Sequence, residues 1–289
     1  MEIHDCHVHM VLDGINWKEA IGRHKPKPDE DFIRNTLSKY AEIGTVYLRE
    51  GGDKFGAGWL ARSIAPEYGI AYASPVFPIH QKGNYGSFIG RAFETIDDFK
   101  AMVDEISDAG GDYVKVMLSG IMDFNEFGKI TGHSLPRDLV EQMIGYAHSK
   151  GLAVMAHVNG ARAVQDAVEA GVDSVEHGYF SDEESRKVLA ESDTIWVPTF
   201  APICNLIGTG HYPDDVLKRI ADMQMKAVAE VAAMGGTIAS GSDAGAGDVL
   251  HADAAKQELG YMKQALGEGF EEVVSRGYDA MRAKFSPRI

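Results

Sequence analysis

The sequence predicts an α/β fold, a (β/α)8 or TIM barrel, on three observations. Short apolar runs alternate with longer amphipathic segments along the 289 residues. Eight such runs can be counted, each followed by a stretch with helical character, which is the strand–helix rhythm of a closed parallel barrel. Two runs end on a histidine, and His9 and Asp243 lie just past two others. The alternative, a doubly wound sheet, would usually carry a glycine-rich phosphate loop after its first strand, and here that strand runs into His7-Val-His9.

The strands fall at residues 3–8, 45–49, 70–76, 113–118, 153–157, 174–177, 195–198 and 237–241. They are short and rich in Val, Ile and Ala, as strands buried on both faces are. Of the helices between them, 136–150 opens on a proline and closes at Gly151, 161–170 closes at Gly171, and 216–234 closes at Gly235 and Gly236. Proline first and glycine last is the asymmetry expected of helix ends. The Ala-Gly elements at 108–111 and 170–173 read as helix-to-strand turns and not as a solenoid repeat. No Pro/Ser-rich hinge divides the chain, so residues 1–289 are expected to form a single barrel domain.

Composition bounds the function. With 45% apolar and 25% charged residues the chain can bury a sizeable core. A formal net charge of −15 repels nucleic acid and anionic membrane, leaving small soluble molecules as the expected partners. Cys6 and Cys204 do not make a disulfide framework, and a reducing cytoplasm is the simplest home. No apolar run approaches the roughly 20 residues of a membrane helix.

The chemistry gathers at the strand ends. Alternation along the first strand puts Ile3, Asp5, His7 and His9 on one face and Cys6 on the other. Two imidazoles so spaced can reach one cation, with Asp5 placed to orient a ring, although His-x-His alone also fits a solvated terminus. Lys115 lies inside Tyr113-Val114-Lys115-Val116, where a charge is costly unless something uses it. His157 and His177 end their strands and Asp243 follows another. A lone strand-end histidine is commonly a packed core residue. Five strands offering such groups at one barrel mouth are hard to explain as packing. The donor set suits Zn²⁺, and also Mn²⁺, Fe²⁺ or Co²⁺. A buried, partly neutral lysine amine can add CO₂, and the resulting carbamate could bridge two cations.

These residues resemble the barrel motifs of the amidohydrolase superfamily: Asp5-Cys-His7-Val-His9, Val114-Lys115, His157, Glu176-His177-Gly178 and Gly241-Ser-Asp243-Ala-Gly. Three longer stretches are similar to its prolidase-like branch, near the imidazolonepropionases. They are Tyr47-Leu-Arg49-Glu50-Gly51-Gly52, the block from Ala156-His157 to Glu176-His177-Gly178, and Val197-Pro198-Thr199.

The resemblance implies that His7, His9 and Asp243 hold one metal, that His157 and His177 hold the other, and that carboxylated Lys115 bridges them. It further implies a shared hydroxide as nucleophile and Asp243 as the base that becomes the acid. Hydrolysis of a C–N bond in a dipeptide or N-acyl amino acid is the expected reaction. A lactonase or phosphotriesterase could use the same site, and a non-catalytic homologue holding a structural metal is the alternative from another class. Arg49, Tyr85 and Tyr179 are candidate substrate contacts. Two features depart from the branch. Its small β-sandwich is expected to be absent here, with self-association a compensation for the barrel's less covered flank. Its Gly-Gly-His after strand three is also missing, replaced by the 77–88 loop. That loop and the 198–212 loop, which holds Cys204 and His211, would shape the mouth.

Overall fold

The computed structural model describes residues 2–288. Ten strands run β1 Ile3–Val8, β2 Thr45–Glu50, β3 Ala71–Ala73, β4 Pro78–Gln81, β5 Arg91–Phe93, β6 Tyr113–Met117, β7 Ala153–Val158, β8 Ser174–His177, β9 Ile195–Val197 and β10 Thr237–Ile238. All paired strands are parallel. They form a three-stranded arc β1-β2-β3 and a seven-stranded arc β10-β9-β8-β7-β6-β4-β5. Backbone hydrogen bonds join the arcs on both sides. Cys6 N donates to Ser240 O at 3.0 Å and Asp112 N to Ser74 O at 3.0 Å. The result is the expected barrel, with all eight predicted strands in place.

Two elements differ from the sequence reading. Strand three ends at Ala73 because the chain turns: Val76 has a positive φ of 67° and Phe77 N bonds back to Pro75 O. The segment read as a loop then forms β4, which lies beside β6 in the register Pro78↔Lys115, and β5 beside β4. Among the described residues every strand belongs to the barrel or to this β4–β5 extension, and no β-sandwich is present.

The helices follow from their caps. Gly151, Gly171 and Gly235 take φ of 68°, 86° and 92° just past three helix ends, the left-handed conformation that glycine accepts without strain. Thr95 and Asp182 close capping boxes at the starts of Ile96–Asp108 and Glu183–Ala190. The apolar faces of the helices pack on the outside of the strands. A second core fills the barrel itself, with Cys6, Tyr47, Tyr113, Met155 and Ile195 among its members.

The bottom of the barrel is plugged by the helix Phe270–Phe285. Phe285 is fully buried, meets the Tyr113 ring edge-on at 5.3 Å, and its carbonyl accepts the Tyr47 hydroxyl at 2.9 Å. Gly277 permits this approach, since a Cβ there would stand 1.8 Å from Ile238 O. Gly277→Ala should therefore cost about 1–3 kcal/mol through overpacking, despite better helix propensity. Gly260, in the helix Asp253–Leu266, has nothing within 4 Å of that position. Gly260→Ala should instead stabilise by about 0.5–1 kcal/mol. Urea unfolding of the two variants reads both signs, and equal shifts would contradict the plug.

Candidate active site

Three atoms converge at the mouth. His7 Nε2 lies 3.3 Å from His9 Nε2 and 3.4 Å from Asp243 Oδ1, and His9 Nε2 lies 3.2 Å from the same oxygen. Ligands about 2.0–2.1 Å from a tetrahedral Zn²⁺ stand about 3.3 Å apart, so the triangle has the dimensions of a cation's coordination sphere. β1 supplies the histidines and the turn after β10 supplies the aspartate, whose backbone N–H donates to His7 O at 2.8 Å. Gly51 makes room, because a Cβ there would lie 2.1 Å from the His9 ring.

His157 and His177 face each other with ring centroids 4.6 Å apart, and His177 is 5.1 Å from His7. Each has one nitrogen committed to a protein oxygen: His157 Nε2 to Gly120 O at 3.1 Å and His177 Nδ1 to Thr199 Oγ1 at 2.7 Å. The other nitrogen of each ring is the one free for a ligand's role. Burial holds His7 down to about 4 and His157 to about 3, so both rings are neutral donors at physiological pH. Burial would raise the Asp243 carboxyl, but His7, His9 and His177 outweigh it and keep the group ionised. Strain concentrates here, with positive φ at His177 (68°), Thr199 (50°) and Asp243 (59°).

Lys115 completes the ring of groups. It is 1% exposed, and its Nζ has no hydrogen-bond partner. Burial pulls its ammonium down to about 8, Arg49 adding to the effect while Glu176 and Asp243 oppose it. A small chamber of about 20 Å³ touches His7, His9, Lys115, His157, His177 and Asp243 together. All six groups singled out in the sequence thus meet at one point. Above them opens a cavity of about 620 Å³.

The substrate contacts need correction. Tyr85 lines both chambers and lies over His157 at 4.7 Å. Arg49 does not reach the cavity. It is fully buried inside the barrel, donating from Nη2 to Glu176 at 2.7 Å, from Nη1 to Ser174 Oγ at 2.7 Å and from Nε to Cys6 O at 2.7 Å. Tyr179 is also fully buried, because the positive φ of His177 and Gly178 turns the chain inward and its hydroxyl donates to Thr199 O at 2.7 Å. Asp5 does not orient a ring. Its carboxylate accepts from Ser242 N at 2.7 Å and from the Ser242 hydroxyl at 2.5 Å. The register of β1 shifts between Asp5 and Val8, so strict alternation fails and Cys6 joins the barrel's inner core.

Glu176 takes the role expected of Asp5. Its carboxylate lies 2.8 Å from His7 Nδ1, 2.7 Å from Arg49 and 2.6 Å from Ser174 Oγ. Burial opposes its ionisation, and Arg49 and His7 overcome that. The available signal was an acid inside a buried strand together with an arginine inside another. Glu176→Gln should destabilise the protein by about 3–5 kcal/mol, since it leaves Arg49 buried without a counter-charge. Adding Arg49→Met should recover part of the loss. Denaturant unfolding of the double-mutant cycle checks this, and purely additive losses would contradict it.

Comparisons with known proteins bear on the family and the fold. An uncharacterized protein of Mycobacterium tuberculosis (strain ATCC 25618 / H37Rv) is 30% identical over 142 residues, 45% of this chain and 38% of that one. Ochratoxinase of Aspergillus niger is 29% identical over 216 residues, 73% of this chain and 41% of that one. The chain thus spans about two fifths of the length of these curated relatives. The crystal structure of a Xaa-Pro dipeptidase with bound methionine superposes with a TM-score of 0.75 at 20% identity, over 99% of this chain and 77% of that one. The crystal structure of A. niger ochratoxinase gives 0.77 at 17% identity, over 99% and 71%. Both share the fold. The sequence model of the Amidohydrolase family matches residues 61–275, well over half of the chain, and the protein belongs to that family.

Proposed function

We propose that this protein is a binuclear metal-dependent hydrolase that cleaves an amide-type C–N bond of a small substrate such as a dipeptide or N-acyl amino acid. The observation that carries this reading is the convergence of His7, His9 and Asp243 at 3.2–3.4 Å beside a buried lysine amine with no partner. The names of the neighbours, a dipeptidase and an ochratoxinase, support the bond type.

In this reading His7, His9 and Asp243 hold one divalent cation, Zn²⁺ by donor chemistry, with Mn²⁺, Fe²⁺ or Co²⁺ as alternatives. His157 and His177 hold the second. The Lys115 amine, neutralised by burial, would add to CO₂ with loss of a proton, and the resulting carbamate would supply the anionic group that helps hold the cations. When bound, the cations acidify water and polarise the carbonyl under attack. Asp243, ionised and facing the cavity, takes a proton from the attacking water and returns it to the leaving nitrogen as the C–N bond breaks. Glu176 keeps the His7 ring turned so that Nε2 faces the centre. Tyr85 packs the substrate against this floor. We place the enzyme in the cytoplasm, acting as a single barrel domain. Among the described residues no helix is long and apolar enough to cross a membrane.

Elemental analysis of protein purified without chelator should find two divalent ions per chain, and stripping them should abolish turnover. Lys115→Ala should lose most metal and activity, and acetate should restore part of both. Two retained metals in Lys115→Ala without added acid would contradict the bridge.

Asp243→Asn should keep the fold and lower amide turnover by about 10²–10⁴-fold, since the amide side chain cannot accept the proton. The assay sets N-acyl amino acids and Xaa-Pro dipeptides beside lactones and a nitrophenyl phosphotriester. Cleavage of only the last two would replace the amidase reading.

A further inference from the structure

The cavity above the catalytic floor has a chemistry that the floor does not dictate. Its volume is about 620 Å³, in the range of sites for drug-sized ligands. A dipeptide of two small residues would leave much of it filled with water. Its walls come from loops after several strands and are dominated by rings. Trp17, Tyr85 and Phe88 stand on one side, Phe124 and Tyr212 on the other. Trp17 meets Phe88 at 5.9 Å and Phe124 meets Tyr212 at 5.0 Å, so the two sides form paired aromatic faces. Trp17 is also 51% exposed, which extends the apolar surface outward from the mouth.

Charge is distributed against anions. Among the described residues no lysine or arginine lines the cavity. Of the lysines near the rim, Lys54 donates to Ser87 O at 2.7 Å and Lys18 lies 5.4 Å from the Trp17 ring centroid, and neither is a lining residue. At the rim, His211 is turned to Asp248, with Nδ1 3.3 Å from its carboxylate. Asp248 and Asp243 are the charged carboxylates facing the space, in a chain of formal net charge −15. A free carboxylate on the body of a substrate would find no lysine or arginine in these walls and would meet the Asp248 carboxylate at the rim. Arg49, read from the sequence as a candidate substrate contact, is spent inside the barrel.

We propose that the preferred substrate is a bulky, aromatic amide without a free carboxylate, and that the aromatic walls set this preference. The proposal rests on the amide-hydrolase reading and narrows its substrate from dipeptides and N-acyl amino acids to neutral relatives. Aromatic walls reward flat apolar bodies by burial and ring–ring contact.

A matched pair tests it: N-(2-naphthoyl)phenethylamine and N-(2-naphthoyl)phenylalanine, which differ only by the carboxylate. Binding to the metal-loaded enzyme is read by calorimetry and turnover by product release. The neutral amide should bind at least tenfold tighter and show at least tenfold higher kcat/KM, and glycyl-proline should be poorer than either. Phe124→Arg should shift the ratio towards the acid by tenfold or more. Trp17→Ala should raise KM for the naphthoyl amide at least threefold more than for the N-acetyl amide. Equal or stronger binding of the acid, or preference for glycyl-proline, overturns this inference and leaves the amidase reading standing. Tight, selective binding of the neutral amide, with no amide in the set cleaved, overturns the amidase reading and the substrate assignment with it, and leaves only the cavity's preference for neutral aromatic bodies.

Discussion

The buried pair of Arg49 and Glu176 is the constraint on which the site depends. Both side chains are fully buried and 2.7 Å apart. Two charges withdrawn from water are tolerated only when their hydrogen-bonding capacity is filled. Arg49 uses all three of its nitrogens, on Glu176, Ser174 Oγ and Cys6 O. Glu176 accepts from Arg49 and Ser174 and reaches His7 with its remaining oxygen. The pair therefore ties β1, β2 and β8 together inside the barrel and fixes one ring at the floor of the mouth. It also leaves Lys115 alone. Glu176, whose charge favours the ammonium, makes its hydrogen bonds elsewhere, and the Arg49 guanidinium makes a charged ammonium less favourable. An amine ready to be neutral is first a consequence of its burial, to which the guanidinium adds.

Above this layer the molecule divides its labour. Strand ends hold the groups that carry chemistry, and their positions are fixed by the parallel ladders and by the helix that plugs the barrel from below. Loops hold the groups that choose a substrate. The residues after β1, β4, β6 and β9 bring aromatic rings over the floor. Loop changes can thus alter the accepted substrate at little cost to the barrel, the usual arrangement in this architecture.

Much of this was legible in the sequence, for definable reasons. Eight apolar runs with glycines at the helix ends specify a barrel because period and caps are local signals, and Gly151, Gly171 and Gly235 adopt the conformations their positions require. Groups at successive strand ends must converge in a barrel, so His7, His9, Lys115, His157, His177 and Asp243 could be named together. Failures came where local rules break. The register shift in β1 defeats alternation, and so misassigned Asp5 and Cys6. The left-handed turn after β8 defeats the assumption that Tyr179 follows His177 to the mouth. Strands of three or four residues, such as β5 and β4, are too short to leave a periodic pattern. Arg49 and Glu176 are 127 residues apart, and nothing local announces that they meet.

The central claim is that these six side chains hold two cations joined through a modified lysine. Anomalous diffraction from crystals of the metal-loaded enzyme tests it most directly. The account predicts two peaks at the barrel mouth, one bounded by His7, His9 and Asp243 and one by His157 and His177, with density continuing from Lys115 Nζ as a carbamate between them. A single peak with an unmodified lysine, or metal bound away from these residues, would contradict it.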